Sequence, residues 1–166
     1  MADIIRIEKE MNDLLNSQLV PVTKVQKINN EDLIWKVIFD GPDESPYEDG
    51  VFILKFIFPN DHPKTRPEAQ FITPMFHPNI DPDCQQHVCI NLLNSWDPKR
   101  TLEDVILGIF DILLNPTTIN AYGNEATKAL KRDYDEYYDK VEEYTYKYAK
   151  KVYENYNSVE DYKNIK

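Results

Sequence analysis

Over the first fifteen residues the apolar side chains recur every three or four positions. Ile4, Ile7, Met11 and Leu14 share one face, with Ile5 and Leu15 beside them, while Arg6, Glu8, Lys9 and Asp13 fall elsewhere. That period predicts a helix over 3–15, stopped by Pro21. The pattern then shifts to short runs of branched and aromatic residues, which predict strands at 22–28, 33–40 and 51–58, with a short fourth at Ala69–Thr73. Gly41-Pro42-Asp43-Glu44-Ser45-Pro46 is a turn by composition. The third strand, VFILKFIF, is apolar at nearly every position, so both its faces are expected to be covered.

Residues 74–100 have no clear period and are dense in Pro, Asn, Asp and His. A stretch of that length inside a compact domain points to function. Thr101-Leu102-Glu103-Asp104 resembles a capping box and opens a helix that places Leu102, Val105, Ile106, Ile109, Phe110 and Leu113 on one face. This is the expected central core helix, 101–114. After an irregular Asn115–Asn124, a short helix is expected at 124–131 and a long one from 133. The tyrosines at 134, 137, 138, 144 and 148 recur at helical spacing and read as packing. Residues 150–166 would extend that helix or fray.

Composition narrows the function classes. With 166 residues the chain is expected to form one domain, 1–166, with a real core. Its net charge of −10 disfavours a general phosphate-binding surface, so no nucleic-acid partner is expected. Four glycines are too few for a glycine-rich nucleotide cradle. No apolar run approaches the roughly 18–20 residues of a membrane span, and the start of the chain has no signal-peptide core. No membrane partner is expected. Cys84 and Cys89 read as free thiols in a reducing compartment, cytoplasmic or nuclear.

The chemistry concentrates in Met75-Phe76-His77-Pro78-Asn79-Ile80, Cys89-Ile90-Asn91-Leu92-Leu93 and Trp96-Asp97-Pro98. Taken alone, Cys89 is either a small buried hydrophobe or a nucleophile. A conventional cysteine hydrolase needs a histidine base, and only His62, His77 and His87 are available. His77, Cys84, His87 and Cys89 also supply two nitrogens and two sulfurs for zinc, although their spacing matches no standard ligand knuckle.

The order of these segments resembles the ubiquitin-conjugating enzyme family. The resemblance runs over about residues 4–149 through RIEKEMNDL, Gly41-Pro42, Ser45-Pro46-Tyr47-Glu48, Gly50-Val51-Phe52 and Phe58-Pro59. It continues through His77-Pro78-Asn79, Val88-Cys89-Ile90-Asn91-Leu92-Leu93, Thr101-Leu102, Asn115-Pro116, Asn124-Glu125-Ala126 and Lys147-Tyr148-Ala149. With the elements above it implies an α+β, UBC-like fold: an amino-terminal helix, a four-stranded antiparallel meander, the central helix and two carboxy-terminal helices.

The implied activity is acyl transfer. Cys89 would accept ubiquitin or a ubiquitin-like protein as a thioester from an activating enzyme, and a substrate lysine would attack it, usually with a ligase. Thioester exchange is near balance, and an ordinary thiol is already a strong nucleophile, so no strong base is needed. Asn79 would support the oxyanion, hold the loop through backbone bonds, or both. His77 reads as a buried structural ring. Ubiquitin is the first expectation. A cullin-modifying ubiquitin-like protein is the alternative, because Val88-Cys89-Ile90-Asn91 resembles relatives that carry it. Another alternative is a non-catalytic variant acting as a scaffold, but such variants lack the cysteine in its motif. No metal or small-molecule cofactor is implied, since ATP is used by the activating enzyme.

Several positions depart from the family pattern. The interval from Asn79 to Cys89 is longer than usual, with the extra residues in Pro82-Asp83-Cys84-Gln85-Gln86-His87. Asn120 stands where many relatives carry a lysine-orienting aspartate, and Asp81 is a nearby carboxylate that could compensate. Tyr122 replaces a usual leucine. Asn91 follows Cys89 as a site-supporting residue. The resemblance assigns activating-enzyme or ligase contact to Arg6, Lys9, Pro63, Lys64, Trp96, Pro98 and Lys99. Lys64 falls where ubiquitin-dedicated relatives offer an aromatic anchor, and Lys99 replaces a small residue, which would change the choice of ligase.

Overall fold

The structure is a computed structural model that describes residues 1–28 and 33–150. Of the expected tail extension over 150–166, residues 151–166 lie outside the described residues.

Helix α1 spans Ile4–Leu15 and buries Ile7, Met11 and Leu14. It starts where the Asp3 carboxylate accepts the Arg6 backbone N–H, which satisfies one of the helix's unpaired first-turn donors. Four antiparallel strands follow in sequence order: β1 (Val22–Lys27), β2 (Ile34–Asp40), β3 (Val51–Ile57) and β4 (Glu68–Phe71). The fourth strand ends earlier than its apolar run suggests. Ile53 O still accepts the Ile72 N–H at 2.8 Å, but the Ile53 N–H donates to the Thr73 hydroxyl at 2.9 Å, so a side chain takes the place of the backbone acceptor there.

The alternation of β2 and β3 sends Val37, Phe39, Phe52, Leu54 and Phe56 into the main core. On the outer face, Ile38, Val51 and Ile53 bury one another together with Ile72, and that cluster contains no helix residue. The uniform apolarity of β3 therefore reflects one helix-covered face and one small patch, not two helical layers.

A one-turn helix, α2 (Asn91–Asn94), lies within the stretch expected to be irregular. Helix α3 (Leu102–Leu114) starts at a complete capping box. Thr101 accepts the Asp104 N–H, and Asp104 accepts the Thr101 N–H. Seven of its side chains are buried, and Phe110 meets Phe39 at 5.2 Å between ring centres. Helix α4 (Glu125–Arg132) is capped by Asn124, and α5 (Tyr134–Tyr144) by Asp133, before a π-helical turn at Thr145–Ala149. Within the tyrosine stripe, Tyr137 is buried with its hydroxyl 3.3 Å from that of Tyr47, and Phe76 packs against Tyr137 and Tyr144.

The bend before β3 depends on Gly41. Its N–H donates to Gly50 O, and a Cβ there would lie 1.9 Å from Tyr47 O. That obstacle is backbone and has no rotamer through which to move away. Gly41→Ala should therefore destabilise the fold by about 3 kcal/mol or more, at or beyond the upper end of ordinary overpacking. Urea unfolding at neutral pH measures it, and a loss under about 1 kcal/mol would show that the bend can relax.

Candidate active site

The site is built on the turn His77–Ile80, which several elements hold in place. The His77 ring is 1% exposed, its Nε2–H donates to Ile112 O in the last turn of α3 (2.8 Å), and its Nδ1 accepts the Asn79 N–H (3.0 Å). One nitrogen must donate and the other accept, so the ring is neutral with its proton on Nε2. Burial lowers its pKa from 6.5 to about 4. With both nitrogens bonded to protein, His77 can act neither as a base for Cys89 nor as a zinc ligand.

Asn124 secures the same turn from the other side. Its Nδ2 donates to His77 O and Ile80 O, each at 3.0 Å, while its Oδ1 caps α4 by accepting the Thr127 N–H. The Tyr122 N–H donates to Pro78 O at 2.8 Å. The loop between α3 and α4 is thus fastened to the turn at three residues, because Asn79 Nδ2 also donates to Ile119 O at 2.8 Å.

Cys89 is positioned by this frame. Ile80 and Val88 form an antiparallel bridge, and the Cys89 N–H donates to Asn79 O at 2.8 Å. Its thiol is partly exposed, and its Sγ accepts a bond from Asn94 Nδ2 at 3.4 Å. The thiol stands at a groove of about 250 Å3 lined by Asn79, Asn91, Asp111, Ile119 and Asn120, among others. Asn120 has a left-handed backbone (φ 54°), and its amide donates to Asn91 Oδ1, joining the α3–α4 loop to the start of α2. Tyr122 is half-buried beside this group. Burial first, and then the electrostatic influence of the nearby Cys89, Asp81 and Cys84 side chains, pushes its phenol pKa up.

The residues that lengthen the Asn79–Cys89 interval fold away from the groove. Asp81 Oδ1 accepts the N–H groups of Asp83 and Cys84 and so serves as a turn-former. Gln85 and Gln86 are left-handed, Gln86 O accepts the Phe71 N–H, and its Oε1 accepts the Met75 N–H. His87 reaches Gln70, with Nε2 to Nε2 at 2.9 Å. The insertion therefore adds a flap on the edge of β4. Asp81 is not among the groove's lining residues, whereas Asp111 is.

The remaining positions cluster near the start of α3. Trp96 Nε1–H donates to Pro63 O at 2.8 Å, and its ring lies beside His62, joining the two loops. Lys64, Pro98 and Lys99 are exposed around this junction. Lys9 is exposed and paired with Asp13 at 2.7 Å. Arg6 is placed differently from a free surface cation. Its guanidinium bonds Glu10 (2.6 Å), Pro98 O and Arg100 O (2.7 Å each), so it ties α1 to the loop before α3. The roles of Asn94, Asp111 and Asn124 were not visible in the sequence, where isolated amides and carboxylates carry no period.

A helix, a four-stranded meander and a partly exposed thiol on the approach to a central helix define the UBC fold. Residues 6–145 match the ubiquitin-conjugating enzyme family, and the chain belongs to that family. It is similar to the E2 domain of a Toxoplasma gondii ubiquitin-conjugating enzyme, with 26% identity and a TM-score of 0.77 over 87% of this chain and 98% of that one. A Plasmodium yoelii protein assigned to the ubiquitin-conjugating enzymes gives 27% identity and a TM-score of 0.79 over 90% of this chain and 96% of that one.

The locked imidazole predicts a pH dependence of stability. Below its ordinary pKa of 6.5 the unfolded chain takes up a proton that folded His77 refuses until about pH 4. Stability should therefore fall as the pH drops from 6.5 to 4, by up to about 1.4 kcal/mol per unit, and be fully regained above 6.5. Burial lowers the His62 pKa as well, which acts in the same direction. His77→Gln should make the slope shallower in denaturant titrations at several pH values. An unchanged slope would rule out the neutral lock.

Proposed function

We propose that Cys89 carries a modifier as a thioester and passes it to a lysine amine. The observation that carries this reading is a partly exposed thiol, positioned by Asn79 through the backbone, at a groove lined mainly by uncharged side chains. Neutral amides can hold an acyl chain and an oxyanion without titrating at working pH. Among the described residues no histidine lines the groove, which suits an exchange between thioesters of similar energy.

In this reading the activating enzyme delivers the modifier as a thioester. The Cys89 thiolate attacks the carbonyl carbon, and the activating enzyme's thiol leaves. In the second step an amine attacks the same carbonyl. The Asn79 amide has two N–H donors, one of which is bonded to Ile119 O. The other has no partner among the described residues and would bond the oxyanion, so that one side chain would serve as both loop brace and oxyanion donor.

Incubation with activating enzyme, ATP and ubiquitin, followed by a non-reducing gel, tests the proposal. A thiol-sensitive band should form with the wild type and with Cys84→Ser. Cys89→Ser should give at most a band that resists reducing agent. Charging lost in Cys84→Ser but retained in Cys89→Ser would reverse the assignment. If ubiquitin gives no band and a cullin-modifying ubiquitin-like protein does, the modifier is the latter.

Asn79→Ala should slow discharge onto free lysine by about 100-fold, the usual cost of losing one oxyanion donor, and slow charging much less. Single-turnover assays separate the two steps. Equal slowing of both in a folded variant would assign Asn79 to the brace alone.

A further inference from the structure

We infer that Asp111 is the acceptor-binding residue of this enzyme: its carboxylate draws the incoming lysine ammonium to the Cys89 thioester, a charge that Asn120 cannot supply. This rests on the reading of Cys89 as the thioester-bearing residue.

Asp111 is the one charged side chain among the groove's lining residues. It is exposed, and among the described residues its side chain bonds only to Asn115 Nδ2, at 3.1 Å through Oδ1. Oδ2 remains available. The residue lies in the last turn of α3, which contains no basic side chain. A carboxylate there adds to the negative end of the helix dipole, an arrangement that disfavours the isolated helix. The same placement concentrates negative potential along a groove whose other polar lining side chains are uncharged. That field attracts a cation and repels an anion.

The other candidate carboxylate, Asp81, has Oδ1 committed to the turn at Asp83 and Cys84 and lies outside the groove lining. Asn120 is bonded to Asn91 and has no charge to offer. Asp111 is thus the residue placed to recognise a primary ammonium.

The chemistry balances with groups already present. A lysine that docks as its ammonium loses one proton to solvent. The neutral nitrogen gives its lone pair to the thioester carbonyl carbon, forming a C–N bond, a cationic nitrogen and an oxyanion. Asp111 stabilises the cationic nitrogen and relays its proton to water, while Asn79 bonds the oxyanion. The C–S bond then breaks, Cys89 leaves as a thiolate, and the thiolate takes a proton from water.

Single-turnover discharge of the ubiquitin-charged enzyme onto two amines tests the inference. Free lysine carries an ammonium, whereas hydroxylamine is neutral at pH 7.4. Asp111→Asn keeps the shape and an acceptor for Asn115. It should lower the lysine-to-hydroxylamine rate ratio by about five- to tenfold, the size of one partly screened charge pair. The wild-type ratio should fall with added salt, and that of the variant should not. Adding Asn120→Asp to Asp111→Asn should restore part of the ratio. A ratio unchanged by Asp111→Asn, or equal slowing toward both amines, would overturn the inference while leaving the thioester reading intact. Failure of the wild type to charge at Cys89 would instead remove the reading on which it rests.

Discussion

The neutral imidazole of His77 is the constraint on which the site depends. It accepts from Asn79 N–H and donates to Ile112 O, so it links the His77–Ile80 turn to the end of the central helix in a fully buried place. Each bond alone is worth about 1 kcal/mol net, but leaving either partner unpaired in the core costs about 1–3 kcal/mol. That asymmetry fixes the turn. Asn79 then offers its carbonyl to Cys89 N–H and its amide to Ile119 O, so one residue contributes to holding both Cys89 and the α3–α4 loop.

Amides dominate this neighbourhood. Asn79, Asn91, Asn94, Asn120 and Asn124 bond to backbone, to one another or to Cys89 Sγ. Such groups hold geometry without changing charge, so the frame should keep its form across the pH range in which a lysine acceptor varies in reactivity. In the proposed chemistry a titrating base beside Cys89 would add little to a near-balanced thiol exchange and would expose the thiolate to side reactions. The remaining need is a local charge for the amine, and Asp111 lies at the groove edge to meet it.

The face around Trp96 is similarly tied together. Arg6 bonds two carbonyls of the 98–100 loop, and Glu10 accepts the Leu102 N–H at 2.9 Å. Trp96 is bonded to Pro63. Helix α1 and the two loops are therefore joined into one connected surface. Exposed Lys64 and Lys99 stand on that surface beside exposed Asp61 and Asp97.

The sequence determined the elements because local rules govern them. Apolar spacing placed α1 and α3, the Thr101-Leu102-Glu103-Asp104 start matched the observed capping box, and branched runs placed the strands within a few residues. The ordered motifs around His77 and Cys89 marked the family. Tertiary structure decided what depends on groups distant in the chain. Thr73 ends β4 by reaching Ile53, and Arg6 is used on a loop more than ninety residues away. The lengthened loop turns toward β4, because Gln86 O accepts the Phe71 N–H and His87 reaches Gln70 there. Asp111 has the spacing of an ordinary solvated face residue, and only the packing of α3 against the Cys89 turn brings it to the groove. Hydrophobic periodicity records which face of an element is buried, but it carries no information about which polar groups from distant segments meet once those faces are packed.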